Sequence, residues 1–186
     1  MLTGITNPRS IQPTEVVVIK TFDADGISEI DAGFDKSIEM KELAKIDSFS
    51  VRSSSEINGE INTYTFTLTT RYKFFDGDVL KFTVPPEVKL PSTIEELNIQ
   101  GLPRTVDGES VKDELIVEMS GQTVIVNFVK VAPTTETYKF TLDNIKNPPS
   151  EMQSGGFVDI HSLNKSSKKV QEYVVEAPEE PPTIQN

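Results

Sequence analysis

Apolar and polar residues alternate along most of this chain with the period of two that marks half-buried strands. The clearest run is residues 63–70, where Tyr64, Phe66 and Leu68 fall on one face and Thr63, Thr65, Thr67 and Thr69 on the other. Threonine suits the wetter face of a pleat, because its branched carbon fits the strand while its hydroxyl stays solvated. Leu80, Phe82 and Val84 repeat the pattern until Pro85-Pro86 removes two backbone donors and ends the strand. Residues 114–119 and 123–129 flank Ser120-Gly121-Gln122, which predicts a hairpin with a short glycine-containing loop. Tyr138, Phe140 and Leu142 form a further inward row. Residues 46–51 supply the first strand of this set, and 157–163 and 173–175 the last. Turn signals at Asn58-Gly59, Asp76-Gly77, Pro103, Asp107-Gly108, Pro133, Pro148-Pro149 and Gly155-Gly156 separate the runs. About seven or eight short strands punctuated in this way predict an all-β, antiparallel β-sandwich. Only residues 35–45 and 92–98 tempt a helical assignment. Ile38 and Met40 alternate in the first, which reads better as a strand leading into a linker.

A segment of this pattern occurs twice. Gly4-Ile-Thr-Asn-Pro8 matches Asn144-Ile-Lys-Asn-Pro148, with Ile5 on Ile145, Asn7 on Asn147 and Ser10 on Ser150, an offset of 140 residues. The strands that follow, 17–23 and 158–164, match best one residue further apart. Self-similarity at a fixed spacing is the signature of a modular array. Met1 aligns with Thr141, inside the alternating run of residues 138–143, so the expectation is a chain that opens partway through a module. Residues 1–45 then read as the terminal strands of one module, 46–177 as a complete module, and 178–186, with three prolines, as an extended Pro/Glu-rich linker. A two-stranded fragment is marginal in water. The leading piece is therefore expected to borrow neighbours, either from an upstream part of a longer polypeptide or from another subunit. The residues expected to pack at such a joint are Ile5, Val16, Val18, Ile19, Phe22, Ile27 and Ile30, with Ile145, Val158 and Ile160 as their counterparts in the second copy.

Composition narrows the chemistry. With no cysteine among 186 residues, disulfides, thiolate metal sites and cysteine nucleophiles are out of reach. A formal net charge of −11 repels phosphate backbones, and only Lys165, Lys168 and Lys169 cluster, so nucleic acid is not an expected partner. No apolar run approaches the roughly 20 residues that a membrane-spanning helix needs.

Enzyme signatures are scarce. His161 is the only histidine, and Lys20 occupies its place in the first copy. No nucleophile elbow, phosphate-binding glycine loop or histidine-rich cluster occurs. The pairs Asp76/Asp78 and Glu95/Glu96 do not by adjacency supply carboxylates that face each other across a cleft. The expectation is that the chain is not an enzyme and needs no cofactor. Asp23-Ala-Asp25-Gly26, followed by Asp31, weakly resembles a calcium loop. Its glycine stands fourth rather than sixth and no closing glutamate follows, so a strand-connecting turn is the plainer reading. Asn164-Lys165-Ser166 is the one N-glycosylation sequon, which makes Asn164 a candidate for a covalent glycan.

The alternating strands and the twice-written Ile-x-Asn-Pro segment together resemble the immunoglobulin-like modules that long extracellular or cell-surface proteins string head to tail. With neither cysteine nor tryptophan, the chain lacks the hallmark of antibody domains. It also resembles pilus-type fibres, in which a terminal strand of one subunit completes its neighbour's sheet. What these resemblances imply is a structural subunit or repeat unit of an extracellular fibre or surface stalk, assembling with like modules by β-strand complementation. The alternative is an adhesin-like module that grips a glycan or protein through its loops. Phe74 and Phe75 are the aromatic residues available for such a platform.

Overall fold

The computed structural model describes residues 9–11, 13, 15–16, 18–34, 37, 42–106, 109–131, 137–150, 156–174 and 184–185. Among these the chain forms strands and turns and no helix. β1 (Val18–Phe22) and β2 (Glu29–Phe34) pair with each other as a separate hairpin. The body begins with β3 (Ala44–Ser53), β4 (Ile61–Thr70), β5 (Val79–Thr83) and β6 (Ile99–Gly101). A small ribbon of β7 (Arg104–Val106) and β8 (Glu109–Val111) follows. The chain continues through β9 (Glu114–Ser120), β10 (Thr123–Lys130) and β11 (Thr137–Lys146). It ends with β12 (Val158–Leu163), β13 (Lys169–Glu172) and β14 (Ile184–Gln185). Residues 92–98 form turns that bury Leu97, not a helix.

The body is one long sheet in the order β6-β11-β4-β3-β13-β12-β5-β10-β9. It wraps around a single core because β3 changes partners along its length. Ala44 and Lys45 pair with β13, and residues 46–53 pair with β4 past a register shift between Ile46 and Ser48. The two ends of the order then approach each other through Gly101 on β6, where a Cβ would lie 2.7 Å from the Asp113 carbonyl oxygen just before β9. Any side chain there would force the ends apart. The result is a nearly closed, barrel-like sheet.

The expectation of purely antiparallel pairing does not hold. β13 and β14 both run parallel to β3, through Gln171↔Ala44 and Ile184↔Val51. Both arrive from distant sequence, so no tight hairpin fixes their direction. Beyond Lys45 that edge of β3 is left by β13, and β14 takes it. The described part of the predicted 178–186 linker is therefore held in the sheet.

The alternating rows point inward as the sequence requires. Tyr64, Phe66 and Leu68 of β4, Leu80 and Phe82 of β5, Val124, Val126 and Phe128 of β10 and Tyr138, Phe140 and Leu142 of β11 are all buried. The threonines between Tyr64 and Leu68 are half-buried rather than fully solvated. On β11 the inward row changes phase, from Leu142 to Ile145, at a bulge where Asn144 adopts φ 60°. Asparagine tolerates that left-handed conformation better than most residues. The aligned residue of the first copy is Gly4, which tolerates it best. Phe74 is also a core residue: it stacks on Phe128 at 4.1 Å and meets Tyr138 edge-on at 4.8 Å. The expected aromatic platform thus reduces to Phe75, which is exposed.

The repeated asparagine has a structural task. Asn147, buried after β11, accepts hydrogen bonds from Tyr64 Oη at 2.7 Å, Asn62 Nδ2 at 2.9 Å and Ser53 Oγ at 3.2 Å. Its own amide donates to the Ser55 and Ile57 carbonyls, both at 2.9 Å. One side chain thereby ties the β3–β4 connection to the end of β11. Burial pushes the Tyr64 hydroxyl up to about 12.

Two outcomes follow from this hub. Asn147→Ala strands several buried polar groups at about 1–3 kcal/mol each, so urea denaturation should show a loss of about 2–4 kcal/mol with an unchanged slope. Because the folded state holds the Tyr64 proton more tightly than the unfolded chain does, its contribution is complete below pH 10 and is lost as pH rises toward about 12. Melting temperatures across that range should fall less steeply for Tyr64→Phe than for the parent.

Candidate assembly surface

The β1–β2 hairpin and the β12–β13 hairpin are the same object built twice. In the first, Phe22 pairs Glu29, a bulge follows, and Thr21 then pairs Asp31 and Lys20 pairs Ala32. In the second, Leu163 pairs Lys169, a bulge follows at the same place, and Ser162 then pairs Gln171 and His161 pairs Glu172. The turns agree too. Asp23 N donates to Ser28 O and Gly26 N to Asp23 O, while Asn164 N donates to Lys168 O and Ser167 N to Asn164 O. Gly26 and Ser167 take matching left-handed conformations, with φ 68° and 58°. The first turn holds one extra residue, so the offset returns from 141 along β1 to 140 along β2.

Their surroundings differ completely. Ile160 and Val170 of the second hairpin are 2% and 0% exposed, because β12 pairs with β5 and β13 with β3. Their counterparts in the first, Ile19 and Ile30, are 65% and 67% exposed. Val16, Val18, Phe22, Ile27 and Phe34 are exposed as well. Ile19 and the Val18–Phe34 pair lie on opposite faces of the hairpin, so both faces expose apolar side chains, the kind of surface that marks interaction sites. Among the described residues neither outer edge pairs with another strand. Of the other predicted joint residues, Ile145 is core and Val158 is exposed. Ile5 lies outside the described residues.

Between hairpin and body, Arg9 makes a clamp that nothing in the repeat announces, since Pro149 occupies its aligned position. Its Nη2 donates to Asp78 Oδ2 at 2.6 Å and to the Lys73 carbonyl at 3.0 Å. The guanidinium carbon stands 4.4 Å from the centre of the Phe75 ring. Asp78 is buried and its carboxylate also accepts from the Phe75 N–H at 2.9 Å. A buried carboxylate requires a paired cation, and Arg9 provides it.

The remaining candidate residues find local roles. Asp25 caps its own turn: Oδ1 accepts from the Ile27 and Ser28 N–H groups and Oδ2 from Ser28 Oγ. The Ser28 hydroxyl and these backbone donors hold its carboxyl down at about 2. Asp23 bonds to the Ala24 N–H, and Asp31 lies across the hairpin opposite Thr21. Among the described residues no three histidine, aspartate or glutamate side chains gather as a metal site. Asn164 sits in the second turn, half-buried, with Oδ1 accepting from Ser166 N and Lys168 N. His161 lines a concavity of about 560 Å³ with Lys81, Thr83, Lys169 and Glu172. Its Nδ1 lies 2.7 Å from the Asp159 carbonyl, which can only accept, so Nδ1 carries the proton. Burial, followed by Lys169 and Lys81, lowers its pKa. No helix of the described residues is long and apolar enough to cross a membrane.

Replacing Arg9 tests the clamp. Arg9→Ala should lower stability by about 1.5–3 kcal/mol in chemical denaturation, the range for hydrogen bonds to charged groups. Arg9→Lys keeps the charge but loses the planar fork and the stacking on Phe75, so it should recover only part of that loss. No protein-family model matches the chain, and no curated protein sequence matches it as a relative.

Proposed function

We propose that this chain is a structural unit of an extracellular fibre or surface stalk, built from immunoglobulin-like β-sandwich modules and joined to its neighbours by β-strand addition. The observation that carries this reading is the β1–β2 hairpin, which repeats the fold of β12–β13 yet leaves Ile19 and Ile30 in water. An element whose twin is buried inside a sheet is itself suited to burial inside a sheet. The Arg9 clamp supports the same reading, since it anchors the chain just before the hairpin to the loop that leads into β5. A joint that is to pass load between units needs such an anchor. The acidic surface, with a formal net charge of −11, keeps units apart except where apolar strands meet.

Assembly through the hairpin is read by sedimentation. The parent chain should self-associate as its concentration rises, hairpin against hairpin through these exposed isoleucines, while Ile19→Asp/Ile30→Asp stays monomeric. Both positions are exposed, so these substitutions leave the core intact. Identical sedimentation of parent and variant would remove the hairpin from assembly.

A further inference from the structure

The second hairpin identifies the seat that the first one lacks. β12 lies against β5 through Val158↔Thr83, His161↔Lys81, Ser162↔Leu80 and Leu163↔Val79. β13 lies against the first residues of β3 through Gln171↔Ala44 and Glu172↔Lys45. Beneath them, Phe49 touches Phe157 and Tyr173 at ring-centre distances of 6.1 Å and 6.5 Å. We infer that the β1–β2 hairpin docks into the corresponding slot of another unit of this same construction, between a strand equivalent to β5 and the start of a strand equivalent to β3. This rests on the assembly reading above and names the partner of that surface.

The register follows from the shared bulge. Lys20 stands where His161 stands, Thr21 where Ser162 does and Phe22 where Leu163 does, so they face the partner's equivalents of Lys81, Leu80 and Val79. Ile19 and Ile30 then take the buried places of Ile160 and Val170. A second copy of this very chain is a poorer occupant than a sister unit. Its slot is already filled by β12–β13, and Lys20 would face Lys81. Like charges directly opposite on paired strands are destabilising. The partner that fits is a unit whose slot is open and whose residue at the Lys81 position is neutral or acidic.

Fit can be measured within one full-length chain. In a chimera, residues 160–172 are replaced by the sequence of residues 19–32, and Lys81→Glu accommodates the transplanted lysine. Asp159 is retained, because its φ of 53° would strain the β-branched Val18 aligned with it. A control chimera carries aspartate in place of the transplanted Ile19 and Ile30, with Ile27 unchanged. If the hairpin belongs in this slot, the first chimera unfolds cooperatively and melts at least about 10 °C above the control. Amides of β5 also remain protected from exchange in it. Equal melting of the two chimeras, or loss of cooperative unfolding in both, would overturn the inference. Sedimentation of the parent answers a separate question, so self-association through the hairpin can stand even if this slot is rejected. A dimer of the parent that Lys81→Glu strengthens would make a second copy, rather than a sister unit, the occupant.

Discussion

The aromatic contact across the folded sheet is the interaction on which this molecule depends. Phe66 on β4 stacks on Phe140 of β11 at 5.1 Å and meets Phe82 of β5 at 5.0 Å. Phe49, on the strand that serves both halves, reaches Phe66, Phe82 and Phe157. Without disulfides, and without helices among the described residues, burial of this one cluster holds the halves together. Aromatic pairs add about 0.5–1.5 kcal/mol beyond area burial, and the sharing of Phe49 makes their loss cooperative. Sheet closure, the Asn147 hub and the seat of the second hairpin all rest on that core.

Much of the body was legible in the sequence because a half-buried strand must alternate. The inward rows of β4, β5, β10 and β11 and the Gly121 turn follow from period and turn chemistry alone. Closure was not legible. It depends on β3 exchanging partners and on Gly101 lying against the Asp113 backbone, and neither leaves a trace in hydrophobic order. The parallel pairings of β13 and β14 were hidden for the same reason, since pattern sets which face is buried but not the direction of distant strands. Phe74 misled because it sits beside turn residues, whereas its ring fills the core under Phe128.

The exposed hairpin was legible through the repeat rather than through any local motif. Aligned positions predicted apolar joint residues, and the matching registers and bulges of the two hairpins explain why the similarity persists at the level of sequence. The Ile-x-Asn-Pro segment is tied to structure as well: Ile145 fills the core after the bulge and Asn147 fastens the β3–β4 connection. The Arg9 clamp escaped notice because it is peculiar to one copy. The Asp25 carboxylate, which the sequence offered as a ligand, accepts hydrogen bonds from the backbone of its own turn.

The parallel run of β13 beside the first residues of β3 carries a mechanical consequence. The pairs Gln171↔Ala44 and Glu172↔Lys45 set the end of β13 beside the start of β3. Tension applied to those points pulls β3 and β13 in opposite directions along their common axis. Their cross-strand hydrogen bonds are then sheared together instead of opening one after another like a zipper. A body pulled at those points would yield abruptly and keep a nearly constant length until it does.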